Sequence, residues 1–185
     1  MGKRSNFDRK PRDFYPTPKS VIPSLMDHID PDLITAFCEP CAGDGRLVGH
    51  LEQEGLECVY QSDIEPQNKD IRKQDAFSIE EQDLLGVDHV ITNPPWDRKF
   101  LHPFLQKFLD MNKNCILLFD ADWVHTKQAR TSGLIEFLDK IVSCGRVKWI
   151  EDSPHTSKDN VAWHFFSKSQ KGTAPRFYGR KIDDC

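Results

Sequence analysis

The sequence predicts an α/β domain with a mostly parallel sheet, helices on both faces and an antiparallel last strand. Three observations lead there. Short, partly β-branched apolar runs recur along the chain, as strands buried on both faces require. Segments with apolar residues at helical spacing stand between several of them. The first apolar run empties into a glycine loop and then a helical pattern, the order of a nucleotide-type site at the carboxyl end of a parallel sheet. At 185 residues the chain suits one domain with a full-sized core.

The elements follow in order. Thr17 is a good N-cap and Pro18 a good first helical residue, so a helix entry is expected there. Leu33 to Cys38 reads as the first strand. It runs into Glu39-Pro40-Cys41-Ala42-Gly43-Asp44-Gly45, whose glycines allow a tight turn and close approach of backbone to a ligand. Leu47, Val48 and Leu51 open a helix that stops at Gly55. Cys58 to Gln61 is the next strand, ending at Asp63. That carboxylate follows Gly43 at about the spacing of an acid that binds two ribose hydroxyls. A nicotinamide site would need a third glycine where Val48 stands, which ranks a dehydrogenase low.

Val90-Ile91-Thr92 is a buried strand that delivers Asn93-Pro94-Pro95-Trp96. This tetrapeptide has a specific chemical use. An exocyclic amine on a nucleobase is a poor nucleophile because its lone pair is delocalised into the ring. Two fixed acceptors, the Asn93 side-chain oxygen and the Pro94 carbonyl, localise that lone pair by binding the NH₂ hydrogens. Pro94 and Pro95 stiffen the turn, and Trp96 offers a flat face for a base that has left its stack. An ordinary proline turn beside a core tryptophan is the structural alternative.

Beyond it, residues 99–112 read as an amphipathic helix and Cys115 to Phe119 as a buried strand. Residues 120–132 are polar with Trp123, His125, Lys127 and Arg130 interleaved, either a substrate-facing lid or a plain helical connection. Leu134 to Val142 reads as a helix, Val147 to Ile150 as a strand, and Val161 to Phe166 as the antiparallel last strand. Between the last two, the polar loop 151–160 is expected to enter a groove or the mouth of the site, with structural or solvent roles for His155 and His164.

Composition narrows the class. Cys38-x-x-Cys41 lacks the second ligand pair that zinc requires, so no metal is expected. The six cysteines (38, 41, 58, 115, 144 and 185) are scattered, which suits reduced thiols in a cytoplasmic protein, or in host cytoplasm for a phage-encoded one. No apolar run is long enough to span a bilayer, and Asn6 spoils a myristoylation motif at Gly2. The net charge of -4 is unevenly spread: residues 1–19 carry +4, residues 164–181 carry +5, and the body between them carries -11. Basic ends on an acidic body suit phosphate contacts beside a catalytic mouth, while solvated termini are the alternative.

The ordered set of Glu-Pro-Cys-Ala-Gly-Asp-Gly, Asp63, Asp75-Ala76-Phe77 and Asn-Pro-Pro-Trp resembles the S-adenosylmethionine-dependent amino-methyltransferases, particularly the adenine-N6 DNA methylases. The resemblance covers roughly residues 13 to 167. It implies a Rossmann-like methyltransferase domain over 13–168, with a basic arm at 1–12 and a basic tail at 169–185. It also implies that Glu39, Cys41 and the Gly43–Gly45 loop hold the methionine part of S-adenosyl-L-methionine, and that Asp75, Ala76 and Phe77 bracket its adenine. Phe14-Tyr15-Pro16-Thr17-Pro18 is similar to a segment with which such enzymes touch the methionine end, which brings in Tyr15 and Thr17. DNA is the expected partner, with RNA next because Trp replaces the commoner Tyr or Phe, then a protein glutamine amide. A silent binding subunit is the non-enzymatic alternative, and a partner subunit for target reading is left open.

Overall fold

In the computed structural model, which describes residues 14–30, 33–150 and 156–180, one eight-stranded sheet organises the chain. The basic arm at 1–12, His155 with the first half of the polar loop, and the last five residues lie outside the described residues. The strands are β1 (Ala36–Glu39), β2 (Glu57–Asp63), β3 (Arg72–Lys73), β4 (His89–Thr92), β5 (Asn114–Asp120), β6 (Leu138–Arg146), β7 (Asn160–Phe166) and β8 (Arg176–Tyr178). Their spatial order is β3-β2-β1-β4-β5-β7-β6-β8. Among the described strands only β7 runs against its neighbours, pairing antiparallel with both β5 and β6. After β1 the chain winds one way to β2 and β3, and from β4 it winds the other way. The junction between β1 and β4 is therefore the point where strand order reverses, and a crevice opens there beyond the carboxyl ends of the strands.

Helices cover both faces, as expected. On one face α1 (Ile22–Met26) and α2 (Arg46–Gln53) bury Ile22, Leu25, Leu47, Val48 and Leu51 against Phe37, Ile91 and Trp163. On the other, α3 (Arg98–Asp110) buries Leu101, Phe104, Leu105 and Phe108 against Val90, Cys115 and Leu117. Asp97 caps α3, its side chain accepting from the Lys99 amide at 3.0 Å. No helix of the described residues is long and apolar enough to cross a membrane.

Four expectations need correction. Leu134 to Val142 is not a helix: a 3₁₀ turn (Leu134–Phe137) leads into β6. The register slips between Leu138 and Lys140, a bulge that puts Leu138 and Ile141, three apart, into the same hydrophobic cluster. A bulged strand thus imitates helical spacing. Val147 to Ile150 is not a strand, because β6 ends at Arg146 just after Gly145 turns the backbone at φ +73. Thr17 does not cap a helix; the first turn starts at Lys19, and Thr17 is buried with its hydroxyl engaged elsewhere. Of the 120–132 segment, Trp123 is buried, donating to His102 Nε2 at 2.9 Å, so it does not face substrate. That segment is a 3₁₀ turn followed by the short helix α4 (Lys127–Thr131).

The basic tail is knitted into the sheet over part of its length. Arg176 lies in β8 and makes a two-pronged contact with Asp139 at 2.8 and 3.0 Å. Lys171 sits over the Phe137 ring, 5.3 Å from its centre.

Candidate active site

A cleft of about 780 Å³ opens at the carboxyl ends of β1, β2 and β4. Glu39 enters it from the end of β1, Asp63 from the end of β2, and Asn93 from the residue after β4. The sheet itself therefore collects three motifs that are far apart in sequence. Tyr15, Thr17, Cys41, Gly43, Asp75, Ala76, Phe77 and Pro95 also line this cleft. Gly45, Pro94 and Trp96 do not.

The glycine loop is anchored to β2 at two points and to the turn after it at a third. Ala42 N–H donates to the Ser62 carbonyl at 2.9 Å, Gly43 N–H to Asp63 Oδ2 at 2.9 Å, and Gln67 N–H to the Gly43 carbonyl at 2.9 Å. The other oxygen, Asp63 Oδ1, accepts from Glu65 N–H at 2.7 Å. Two amides thus hold the carboxylate rigid, and each oxygen keeps a lone pair for a ligand hydroxyl. Gly43 adopts φ +56, and a Cβ there would stand 2.9 Å from the Phe14 ring, so both backbone and neighbour require glycine. Gly45, at φ +85, instead forms the N-terminal cap of α2, which explains its absence from the cleft wall.

Glu39 is buried at 1% exposure. Its Oε1 accepts from the Thr92 hydroxyl and from Cys41 N–H, while Oε2 is buried with no hydrogen-bond partner among the described residues. Burial pushes this carboxyl up to about 8, against the opposing pull of the Thr92 and Cys41 hydrogen bonds, and the nearby Asp63 charge raises it further. A buried carboxylate with an unused lone pair in a ligand-sized cleft is costly unless a cation or donor arrives. Thr92 had no place among the residues singled out by sequence. A buried threonine closing a strand looks like any β-branched core position, and nothing local marks its hydroxyl. Burial also raises the Cys41 thiol well above its ordinary range, so it stays a neutral wall.

Asp75 caps a 3₁₀ turn (Ala76–Ser78), with its Oδ1 accepting from Phe77 N–H at 2.9 Å. Phe77 is 41% exposed, and its ring meets Phe100 edge-on at 5.3 Å, so its outer face is open to the cleft. The cleft therefore runs from a buried acid, past a rigid strand-end carboxylate, to an acid and an aromatic ring. At its inner end stands Asn93. The Asn93 amide donates to the Tyr15 carbonyl at 3.3 Å and to Thr17 Oγ1 at 3.1 Å, tying this corner to the segment before α1. Pro94 is buried behind the wall, although its carbonyl is carried by the peptide to Pro95, which lines it. Trp96 packs against both core clusters and meets Trp149 edge-on at 5.7 Å. Among the described residues, no group of three or more His, Cys, Asp or Glu side chains is placed to hold a metal ion.

No family model matches the chain. The type II methyltransferase M.VspI of Vibrio sp. (strain 343) is 29% identical over 105 aligned residues, covering 46% of this chain and 26% of its own. The chain thus spans about a quarter of the length of that curated relative. A chain from a type I R-M system superposes with TM-score 0.59 at 16% identity, over 90% of this chain and 45% of its own. One from Listeria monocytogenes, provisionally described as a class I S-adenosylmethionine-dependent methyltransferase, gives TM-score 0.54 at 11% identity, over 90% and 66%. The fold is the Rossmann-like fold of that methyltransferase class, and the methyltransferase likeness of the ordered motifs agrees with the sequence match to M.VspI.

Proposed function

We propose, from a class I methyltransferase fold with an acidic cleft at its switch point, that this chain transfers a methyl group from S-adenosylmethionine to the exocyclic N6 amine of adenine in DNA. The observation that carries the reading is the pairing of Glu39 and Asn93 across that point. A buried acid with an unpartnered oxygen and an amide suited to hold an amine face one cleft.

The residues present fit the cofactor. Glu39 Oε2 offers the missing partner to the ammonium of its methionine part, and Asp63 keeps lone pairs for the ribose hydroxyls. Asp75 accepts from an adenine amino group, and Phe77 gives the ring a face. S-adenosylmethionine supplies an electrophilic methyl on a sulfonium, so that an N–C bond forms as the S–C bond breaks and sulfur keeps the electron pair. Asn93 Oδ1 and the Pro94 carbonyl accept the two amine hydrogens and localise the lone pair toward the methyl. The amine sheds its proton after attack, so the site needs no strong base and no protein nucleophile. Holding both reactants in line supplies most of the acceleration.

DNA is favoured as substrate because the curated relative is named a type II methyltransferase and a fold neighbour comes from a type I R-M system. The test is incorporation of labelled methyl from the cofactor into DNA, RNA or protein, followed by mass spectrometry of the nucleosides or peptides. N6-methyldeoxyadenosine is the expected product. Label confined to RNA or to protein glutamine would replace the substrate, and no label in any of the three would remove the reading.

A further inference from the structure

Trp96 sits beside the amine-holding corner, yet its ring does not line the cleft where a stacking partner would stand. It is partly buried, packs against the hydrophobic clusters on both faces of the sheet, and has Trp149 against it. Its polar atom is the informative one. Trp96 Nε1 lies 3.3 Å from Asn93 Oδ1, and an indole N–H can only donate. On the opposite side of the same amide lies the Tyr15 carbonyl, 3.3 Å from Asn93 Nδ2, which can only accept. These two partners together allow one orientation of the Asn93 amide. Thr17 Oγ1, at 3.1 Å, adds a second acceptor for the NH₂.

We propose that Trp96 is a positioning residue: its indole N–H holds the Asn93 amide with Oδ1 turned to receive the target amine. This rests on the methyl-transfer reading above. Asn93 Oδ1 has two lone pairs, so one is held by Trp96 and the other remains for an amine hydrogen. A donor on the first lone pair also fixes the angle of the second. An unrestrained asparagine amide flips between two nearly isosteric orientations, one of which would present NH₂ to an NH₂. That orientation repels the substrate. A phenyl or phenol ring at this position has no N–H at this reach, so the tryptophan provides something a smaller aromatic does not.

The experiment separates the ring from its N–H. Trp96 is replaced by 3-benzothienylalanine, which keeps the double ring but has sulfur in place of N–H, and in parallel by Trp96→Phe. In both variants kcat should fall about tenfold while KM for DNA and cofactor affinity change by less than about twofold. A stacking role predicts the reverse pattern, with the benzothienyl protein at full kcat and Trp96→Phe raised in KM; that result overturns the proposal and leaves methyl transfer standing. The second readout needs no activity. The Trp96 indole N–H resonance, identified by its loss in Trp96→Phe, should exchange slowly with solvent in the wild type and faster in Asn93→Ala. Equal exchange in the two proteins overturns the proposal whether or not the chain methylates DNA. An inactive wild type with the slow exchange intact would sink the function and keep the contact.

Discussion

The Thr92 hydroxyl, at the end of β4, donates to Glu39 Oε1, at the end of β1, across the junction where strand order reverses. Both residues are buried. The contact sets the carboxylate plane, which leaves Oε2 as the free acceptor. Thr92→Val keeps shape and packing but deletes the donor. Losing a hydrogen bond to a charged carboxylate, the form that an ammonium draws out, costs about 1.5–3 kcal/mol. Titration calorimetry with the cofactor at pH 7 should show affinity lowered by about tenfold or more. Unchanged affinity would mean that Cys41 N–H alone orients Glu39.

The Glu39 carboxyl gives a second prediction, in pH. Its folded value of about 8 lies above the ordinary 4.5, so the folded state holds a proton that the unfolded chain releases. Stability from the neutral form is fully present below about 4.5 and is lost as pH rises through about 8. His50, His89 and His164, all lowered by burial, act in the opposite sense across mildly acidic pH. The comparison is therefore a difference between wild type and Glu39→Gln, in which the histidines cancel. The melting temperature of ligand-free wild type should fall relative to the variant between pH 5 and 8.5. Parallel curves would show that Glu39 is already ionised in the folded protein. Binding of an ammonium-bearing cofactor should release a proton from wild type and none from the variant, read as a buffer-dependent binding enthalpy.

Gly43 carries the third prediction. A side chain there meets both a left-handed backbone angle and the Phe14 ring. Gly43→Ala should lower stability by about 1–3 kcal/mol and weaken cofactor binding, since the loop can relax only by loosening its contact with Asp63. Gly49, with nothing within 4 Å of the Cβ position and an ordinary helical backbone, is the control. Gly49→Ala should be neutral or slightly stabilising in urea melts.

Much of this was legible because strand ends in such a sheet are punctuated chemically. Glu39-Pro40, Asp63 and Asn93 each close a strand or follow one directly, and each stands at the cleft. The helix α3 was legible from paired aromatic and leucine residues at helical spacing, and β7 from an apolar run interrupted only by His164. What failed had long-range causes. The bulge in β6 lies in its pairing with β7, and the turn at Gly145 lies against Arg180, beyond the end of β8. The position of Trp96 in the sequence suggests a flat face for a base, and sequence gives no hint of its other contacts. The structure adds that its partly buried ring packs against both hydrophobic clusters, with its N–H turned to Asn93. Thr92 carried no signal at all, since its partner is 53 residues away.

Asn93 and Asp63 allow the two halves of the site to be separated. Asn93 contributes an acceptor to the incoming amine, and its own NH₂ is tied to Tyr15 and Thr17. Asp63 contributes to the cofactor and to the glycine loop through Gly43 N–H, and among the described residues its hydrogen bonds go to the Gly43 and Glu65 amides rather than to Asn93. Asn93→Ala should therefore lower kcat by about 10²–10³, the range for removing one group aimed at a transition state, with cofactor affinity within about threefold of wild type. Asp63→Ala should weaken cofactor affinity by at least about tenfold and also lower the melting temperature, because two backbone amides lose their acceptor. At saturating cofactor its kcat should recover most of the wild-type value. If Asn93→Ala instead lost cofactor affinity with turnover intact, the corner after β4 would be part of the cofactor wall, and the amine would have to be held elsewhere.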